Sequence, residues 1–247
     1  RPEVMENVGI EEQLGKEIDL NLPFVDEKGE AVTLGKYVNG TRPVFLSLVY
    51  YACPGLCNLQ LNGTLGVFKA FEWDVGKEFD VVTVSFDPKE KPDLAKGKKE
   101  MYLKQYGRIS GQQGWHFLTG TQTSITQLAN QVGFKYKYDE GTKQFVHAAA
   151  SYIITPKGKI SYYHFGIKIE PKILRLSLVE ASGNKIGSLV DKVVLMCLQY
   201  DPSKKTYAFY ALNIMRVMGG LVVLVLALFI GKQIIRCKQM PPQVTQR

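Results

Sequence analysis

Cysteine and histidine are scarce in this chain, with four and three copies in 247 residues. Four thiols are too few for a disulfide scaffold, and only Cys53 and Cys57 stand close together, which favours redox or metal chemistry over stapling. Any site that needs an imidazole must draw on His116, His147 or His164. No basic helix interleaved with stacking aromatics occurs either. The formal net charge of +8 is spread over scattered lysines, so it reads as surface and membrane-flank charge and not as a nucleic-acid footprint. A Thr-x-x-Cys motif is missing, which argues against a peroxiredoxin. The chain opens at Arg1 without a charged segment leading into an apolar one, so an export signal is expected to have been removed or left unrecorded.

What is present suits one well-cored domain with an appendage, at 45% hydrophobic and 22% charged residues. The chain is organised around residues 44–57, VFLSLVYYACPGLC. Val44, Phe45, Leu46, Leu48 and Val49 form an almost unbroken apolar run, as in a strand buried on both faces of a sheet. Residues 58–71 follow with Leu59, Leu61, Leu65, Phe68 and Phe71 at mostly helical spacing. Cys53 and Cys57 are therefore expected at a strand-to-helix junction, where helix N-terminal amides favour the thiolate, the form that attacks disulfides or binds metal.

Residues 1–15 read as a polar arm, and 17–25 with 30–34 as a hairpin around the Asp26-Glu27-Lys28-Gly29 turn. Residues 79–86 form a second buried strand that proline ends at Asp87-Pro88. If that strand is parallel to the first, its following loop, 87–92, leaves the same sheet edge as the cysteine loop. Residues 93–106 read as a helix capped by Asp93 with a partial apolar face of Leu94, Met101 and Leu103. A short strand at 115–118 precedes a helix at 124–132 with Ser124 as its cap. The alternation over 134–138 predicts one half-buried strand, a turn follows at 139–141, and 149–155 with 159–165 predict a hairpin. A helix at 171–181 has proline in its first turn. This order predicts an α/β thioredoxin-like sandwich with a mixed sheet and an N-terminal hairpin, occupying 16–184.

Residues 185–206 predict an amphipathic helix and a linker. Residues 217–231 carry no charge, a run shorter than the ~20 residues of a span. The flanks extend it, with Tyr207, Phe209 and Tyr210 at one interface and Lys232, Arg236 and Lys238 at the other, so 207–238 is expected to be one transmembrane helix. The positive charge after it places the tail, 239–247, in the cytoplasm and the cysteine domain outside. Cys197 reads as a packing thiol, and Cys237 lies at the cytoplasmic membrane face.

Three residues separate Cys53 from Cys57, one more than in a thioredoxin loop. Two thiolates and one imidazole make a soft donor set suited to Cu(I) and able to take Cu(II). His147 lies on a loop just before the strand at 149–155, where it can face the cysteines, whereas His116 and His164 fall inside predicted strands. Residues 50–57 (YYACPGLC), 82–88 (VTVSFDP) and the later His147 together resemble the Sco/SenC family of copper-binding, thioredoxin-like proteins that mature cytochrome c oxidase. The resemblance covers about residues 10–181. It implies that Cys53, Cys57 and His147 hold one copper ion destined for the dinuclear copper site of oxidase subunit II, or that the cysteine pair reduces that site's thiols. It also implies an acid near the site at Asp87, to orient the loop or balance charge; a turn-capping aspartate is the competing reading.

The chain departs from the family's common N-terminal anchor by its C-terminal span. Three functions follow as expectations. The first is a metallochaperone that binds and does not turn over, tethered in the bacterial inner membrane with its domain in the periplasm. The second is a thiol–disulfide reductase using the same cysteines, and the third a structural subunit of a respiratory membrane complex. The expected partner is subunit II or another respiratory-complex subunit.

Overall fold

The computed structural model describes residues 8–186 together with Arg216, Gly219 and Gly220. The chain divides into two units, Arg1–Asp191 and Lys192–Arg247, and in the second the three described residues are helical. The expected amphipathic helix and linker apart from Lys185 and Ile186, Cys197, the span at 207–238 apart from those three residues, Cys237 and the tail lie outside the described residues. Among the described residues no helix is long and apolar enough to cross a membrane.

The first unit begins with a two-residue strand, β1 (Gly9–Ile10), and a hairpin of β2 (Pro23–Val25) and β3 (Ala31–Thr33). Asp26 shapes the hairpin turn: its Oδ1 accepts from the backbone N–H groups of Lys28 and Glu30, and Gly29 takes the left-handed conformation at φ 85° that the turn requires. The predicted hairpin is present. Between β1 and β2 the backbone crosses to the far side of the sheet, where Gly15 N–H donates to Ile160, Ile160 N–H to Lys16 and Ile18 N–H to Gly158.

Every residue of β4 (Val44–Val49) is buried, as its continuous apolar run demands. It is the middle strand of a five-stranded sheet ordered β11-β10-β4-β5-β6. On one side lie β5 (Asp80–Ser85) and β6 (Trp115–Leu118), both parallel, with Val49 opposite Ser85. On the other lies the antiparallel hairpin of β10 (Ala150–Ile154) and β11 (Ile160–Phe165), with Ser47 opposite Ser151. The mixed, thioredoxin-like sheet expected from the element order is therefore observed.

Among the described residues of this unit, five α-helices accompany the strands: α1 (Leu56–Ala70), α2 (Pro92–Tyr106), the single turn α3 (Gly111–Gly114), α4 (Gln122–Gln131) and α5 (Pro171–Ser182). In α1 the buried side chains are Cys57, Gln60, Leu61, Thr64, Leu65, Val67 and Phe68. Leu59, read from the sequence as part of that face, is 53% exposed. Helix α2 also turns a different face inward. Leu94 and Met101 are exposed, and Ala95, Tyr102 and Tyr106 are buried, the two tyrosines packing on Trp115 with ring centroids 5.8 and 6.3 Å away. A flat aromatic wall on β6 selects rings over aliphatic side chains of equal hydrophobicity.

Two helix starts differ from expectation. Lys91 is the N-cap of α2 and Pro92 its first residue, which moves Asp93 into the first turn beside the positive end of the helix dipole. Thr121, not Ser124, caps α4, its hydroxyl accepting the Ser124 N–H. The alternating stretch 134–138 is not one strand. It splits into β7 (Phe134–Lys135), paired with β1, and β8 (Lys137–Asp139), paired with β9 (Gln144–Val146). Alternation reports burial on one side and is blind to a change of partner at Tyr136.

Helix α1 comes so close to the segment after β11 that a Cβ on Gly63 would lie 2.0 Å from the Ile167 carbonyl oxygen. Backbone must move to admit it, so Gly63→Ala is expected to destabilise the fold by about 1–3 kcal/mol, the usual cost of overpacking. Urea denaturation of the two proteins measures this, and an unchanged midpoint would show that the helix does not need the approach.

Candidate metal centre

Strand β4 ends at Val49, and seven residues later α1 begins with Leu56. The helix has no side chain to cap it, because its N-cap residue is Gly55. The sulfur of Cys53 serves instead, accepting the N–H groups of Gly55 and Cys57, each at 3.4 Å. Cys57 sits in the first turn of α1, and its own sulfur accepts the Tyr50 N–H at 3.4 Å. The predicted strand-to-helix placement of both cysteines is observed, and both are free thiols.

His147 follows β9 and precedes β10, whose antiparallel pairing with β4 brings it to the cysteine loop. Its Nδ1–H donates to the Ala148 carbonyl at 2.9 Å, which leaves the Nε2 lone pair facing Cys57 Sγ at 3.2 Å. The Cys53 and Cys57 sulfurs and a His147 ring nitrogen all lie within 4.8 Å of one another, the single such metal-ligating group among the described residues. The imidazole packs against Phe86, Phe134 and Tyr50, with centroids 5.1, 5.9 and 6.2 Å away. His116 and His164 stay apart, as their strand positions predict. His116 Nε2 faces the Gln113 carbonyl and His164 is buried against Ser177, with 2.9 and 3.0 Å contacts.

The two thiols are held differently. Burial pushes the Cys53 thiol up, but hydrogen bonds from the Tyr50 side chain and from the Gly55 and Cys57 amides outweigh it and leave the thiol below its ordinary range. Burial dominates at Cys57 and holds its thiol well above the ordinary range. His147 is lowered by burial, against the bond to Ala148, so the neutral ring that a metal requires is the favoured form near neutrality.

Asp87 does not reach the loop with its carboxylate in this arrangement; its Oδ1 accepts the Lys89 N–H at 2.9 Å and caps its own turn. The carboxylate at the loop belongs to Glu90, which the sequence reading passes over. Its Oε2 accepts the Tyr51 N–H at 2.7 Å and the Ser85 hydroxyl, and its Oε1 accepts the Ala52 N–H at 2.6 Å. Asn58 grips the other side, its Nδ2 donating to the Cys53 carbonyl at 2.6 Å. Gln60 was also missed. One turn beyond Cys57, it donates to the Ala150 carbonyl at 2.8 Å and so ties the cysteine helix to the strand that follows His147. A glutamate before a helix-starting proline, and a glutamine inside an apolar helix face, are the faint sequence signals for these two.

A family model for SCO1/SenC matches residues 11–174. Among solved structures, a protein from Aquifex aeolicus VF5 is 24% identical, with a TM-score of 0.60 over 69% of this chain and 95% of its own. ScoI of Arabidopsis thaliana, solved with copper bound, is 16% identical, with a TM-score of 0.54 over 69% of this chain and 99% of its own. BsSco, described with a disulfide switch and as a member of the Sco family of cytochrome c oxidase assembly proteins, is 20% identical, with a TM-score of 0.54 over 70% and 98%. No curated protein matches. The family match spans the cysteine loop, the turn after β5 and His147, and on that breadth the chain belongs to the SCO1/SenC family.

Proposed function

We propose that the chain is a copper metallochaperone, carrying one copper ion towards the dinuclear copper site of cytochrome c oxidase subunit II. The observation that carries this reading is the meeting of Cys53, Cys57 and His147 within 4.8 Å. A metal–sulfur bond of ~2.3 Å implies donors about 4 Å apart around a three-coordinate ion. The contacts here bracket that spacing, so small side-chain rotations suffice to close the shell. Two sulfurs and one nitrogen in a largely buried, aromatic-walled site favour a soft ion over magnesium or calcium. Copper is cargo here. The chain's own residues bind it, keep bulk water away and present it from a sheet edge. The copper-bound form of the Arabidopsis relative and the assembly role given to the family of BsSco support the same reading.

The site fits a second reading, a thiol–disulfide reductase acting on the cysteines of that same oxidase site. What favours it is the asymmetry of the pair: a lowered Cys53 thiol able to attack, and a buried Cys57 able to resolve. The apolar segment at 217–231 and its basic flank further support a membrane tether, with the domain on the outer, periplasmic face of a bacterial inner membrane.

Cys53→Ser and Cys57→Ser are expected to abolish tight copper binding, since hydroxyls are poor ligands for soft metals. His147→Ala should weaken it beyond the ~10–100-fold typical of outer-shell changes and alter the Cu(II) absorption and EPR spectra. Cu(II) titration of protein that has been reduced and then freed of reductant decides the point, and an unchanged spectrum in His147→Ala removes that residue from the site.

For the second reading, limited alkylation with iodoacetamide followed by peptide mass mapping should label Cys53 before Cys57. The Cys53 labelling rate should reach its half-maximum at a lower pH than that of a free thiol, because a lowered pKa fills the thiolate earlier as pH rises. Equal labelling of the two would remove the asymmetry. For the tether, the full chain should resist alkaline carbonate extraction from membranes, and deletion of 207–247 should release a folded protein that still binds copper. Retention of the deleted form in the membrane fraction would place the anchor elsewhere.

A further inference from the structure

The cysteine loop is gripped by side chains from outside itself, and the grip converges on one residue. Glu90 is 7% exposed, and its two carboxylate oxygens receive the Tyr51 N–H, the Ala52 N–H and the Ser85 hydroxyl. Both amides belong to the short stretch between the end of β4 and Cys53. These N–H groups lie beyond the last β4–β5 pair, Val49 with Ser85, so the sheet ladder does not take them. Without Glu90 the Tyr51 N–H would be a buried donor in search of a partner, and the half-buried bond from the Ala52 N–H would be lost with it.

Glu90 is itself aimed by a tight turn. The Asp87 carboxylate accepts the Lys89 N–H, the Asp87 carbonyl accepts the Glu90 N–H at 3.2 Å, and Pro92 starts α2 two residues later. The turn after β5 thus reaches back across the parallel pair to hold the turn after β4.

We propose that Glu90 is a positioning residue of the Cys53–Cys57–His147 site. It fixes the backbone at Tyr51 and Ala52 and so sets where the Cys53 sulfur stands relative to Cys57 and His147. Asn58, on the Cys53 carbonyl, completes the clasp from the helix side. Removing Glu90 leaves Cys57 anchored in α1 and His147 anchored by the hairpin, and frees mainly Cys53. The effect therefore falls on one ligand of three. Glutamine at this position keeps one acceptor oxygen but turns an NH2 group towards one of the two amides, so it breaks half of the clasp at nearly constant volume.

The test compares Glu90→Gln, Glu90→Ala and Glu90→Asp with the parent in the full chain. In metal-free protein the iodoacetamide labelling rate of Cys53 is expected to change several-fold, while Cys57 stays slow. Copper affinity should fall about 10–100-fold, as for other residues that orient a ligand, with a changed Cu(II)–thiolate band. Glu90→Gln should do so with little loss of melting temperature, which separates positioning from bulk stability; it also keeps the test decisive if Glu90→Ala does not fold. The copper arm rests on the chaperone reading and the labelling arm does not. If the parent binds no copper, the reading fails while Cys53 labelling still judges Glu90. Unchanged Cys53 labelling in a folded Glu90→Gln protein overturns the proposal, as would losses that merely track melting temperature across the three variants.

Discussion

A single strand with unlike neighbours governs this molecule. β4 pairs in parallel with β5 and antiparallel with β10, so the end of β4, the end of β5 and the beginning of β10 all open on the same edge of the sheet. Cys53, Glu90 and His147 come from those three exits. Side chains alternate along a strand, so a shift of one residue in either pairing would turn β4's buried side chains to the opposite face and carry one exit away from the others. Burial of all six β4 residues makes such a shift expensive, and the geometry of the metal-ligating group follows from that hydrophobic constraint.

The exit from β4 must also start a helix, and the two demands are met by one atom. A helix beginning at Gly55 and Leu56 leaves amides without partners, and Cys53 Sγ accepts two of them. The same bonds favour negative charge on that sulfur. Cys57, one turn in, gains no comparable offset to its burial. The difference between the two thiols thus follows from the Tyr50 side chain on Cys53, from where the helix begins, and from the deeper burial of Cys57.

Much of this was legible in the sequence. The apolar run at 44–49 announces a central strand, the cysteines at its end announce a junction, and His147 stands out because the other two histidines lie within strand patterns. Less legible was anything that depends on which partner a segment meets. The 134–138 alternation concealed the change from β1 to β9 as neighbour, and the inward face of α2 was decided by Trp115 across the interface. Glu90 left only a faint signal for a related reason. A carboxylate in a turn is ordinarily a solvated or capping group, and little beyond the nearby helix-starting proline distinguishes Asp87, which caps, from Glu90, which spans to another loop.

The backbone crossing between β1 and β2 has a consequence beyond the site. β11 is the outermost strand on its side of the sheet, and its first residue exchanges hydrogen bonds with Gly15 and Lys16, while Ile18 bonds to Gly158 in the turn before it. Those few residues act as a cover over the start of an edge that would otherwise offer free amides and carbonyls to another chain. Trimming the chain past residue 18 would leave Cys53, Cys57 and His147 in place. It would uncover backbone groups at the start of β11 that can pair with another chain, so a version shortened there loses its guard against edge-to-edge association.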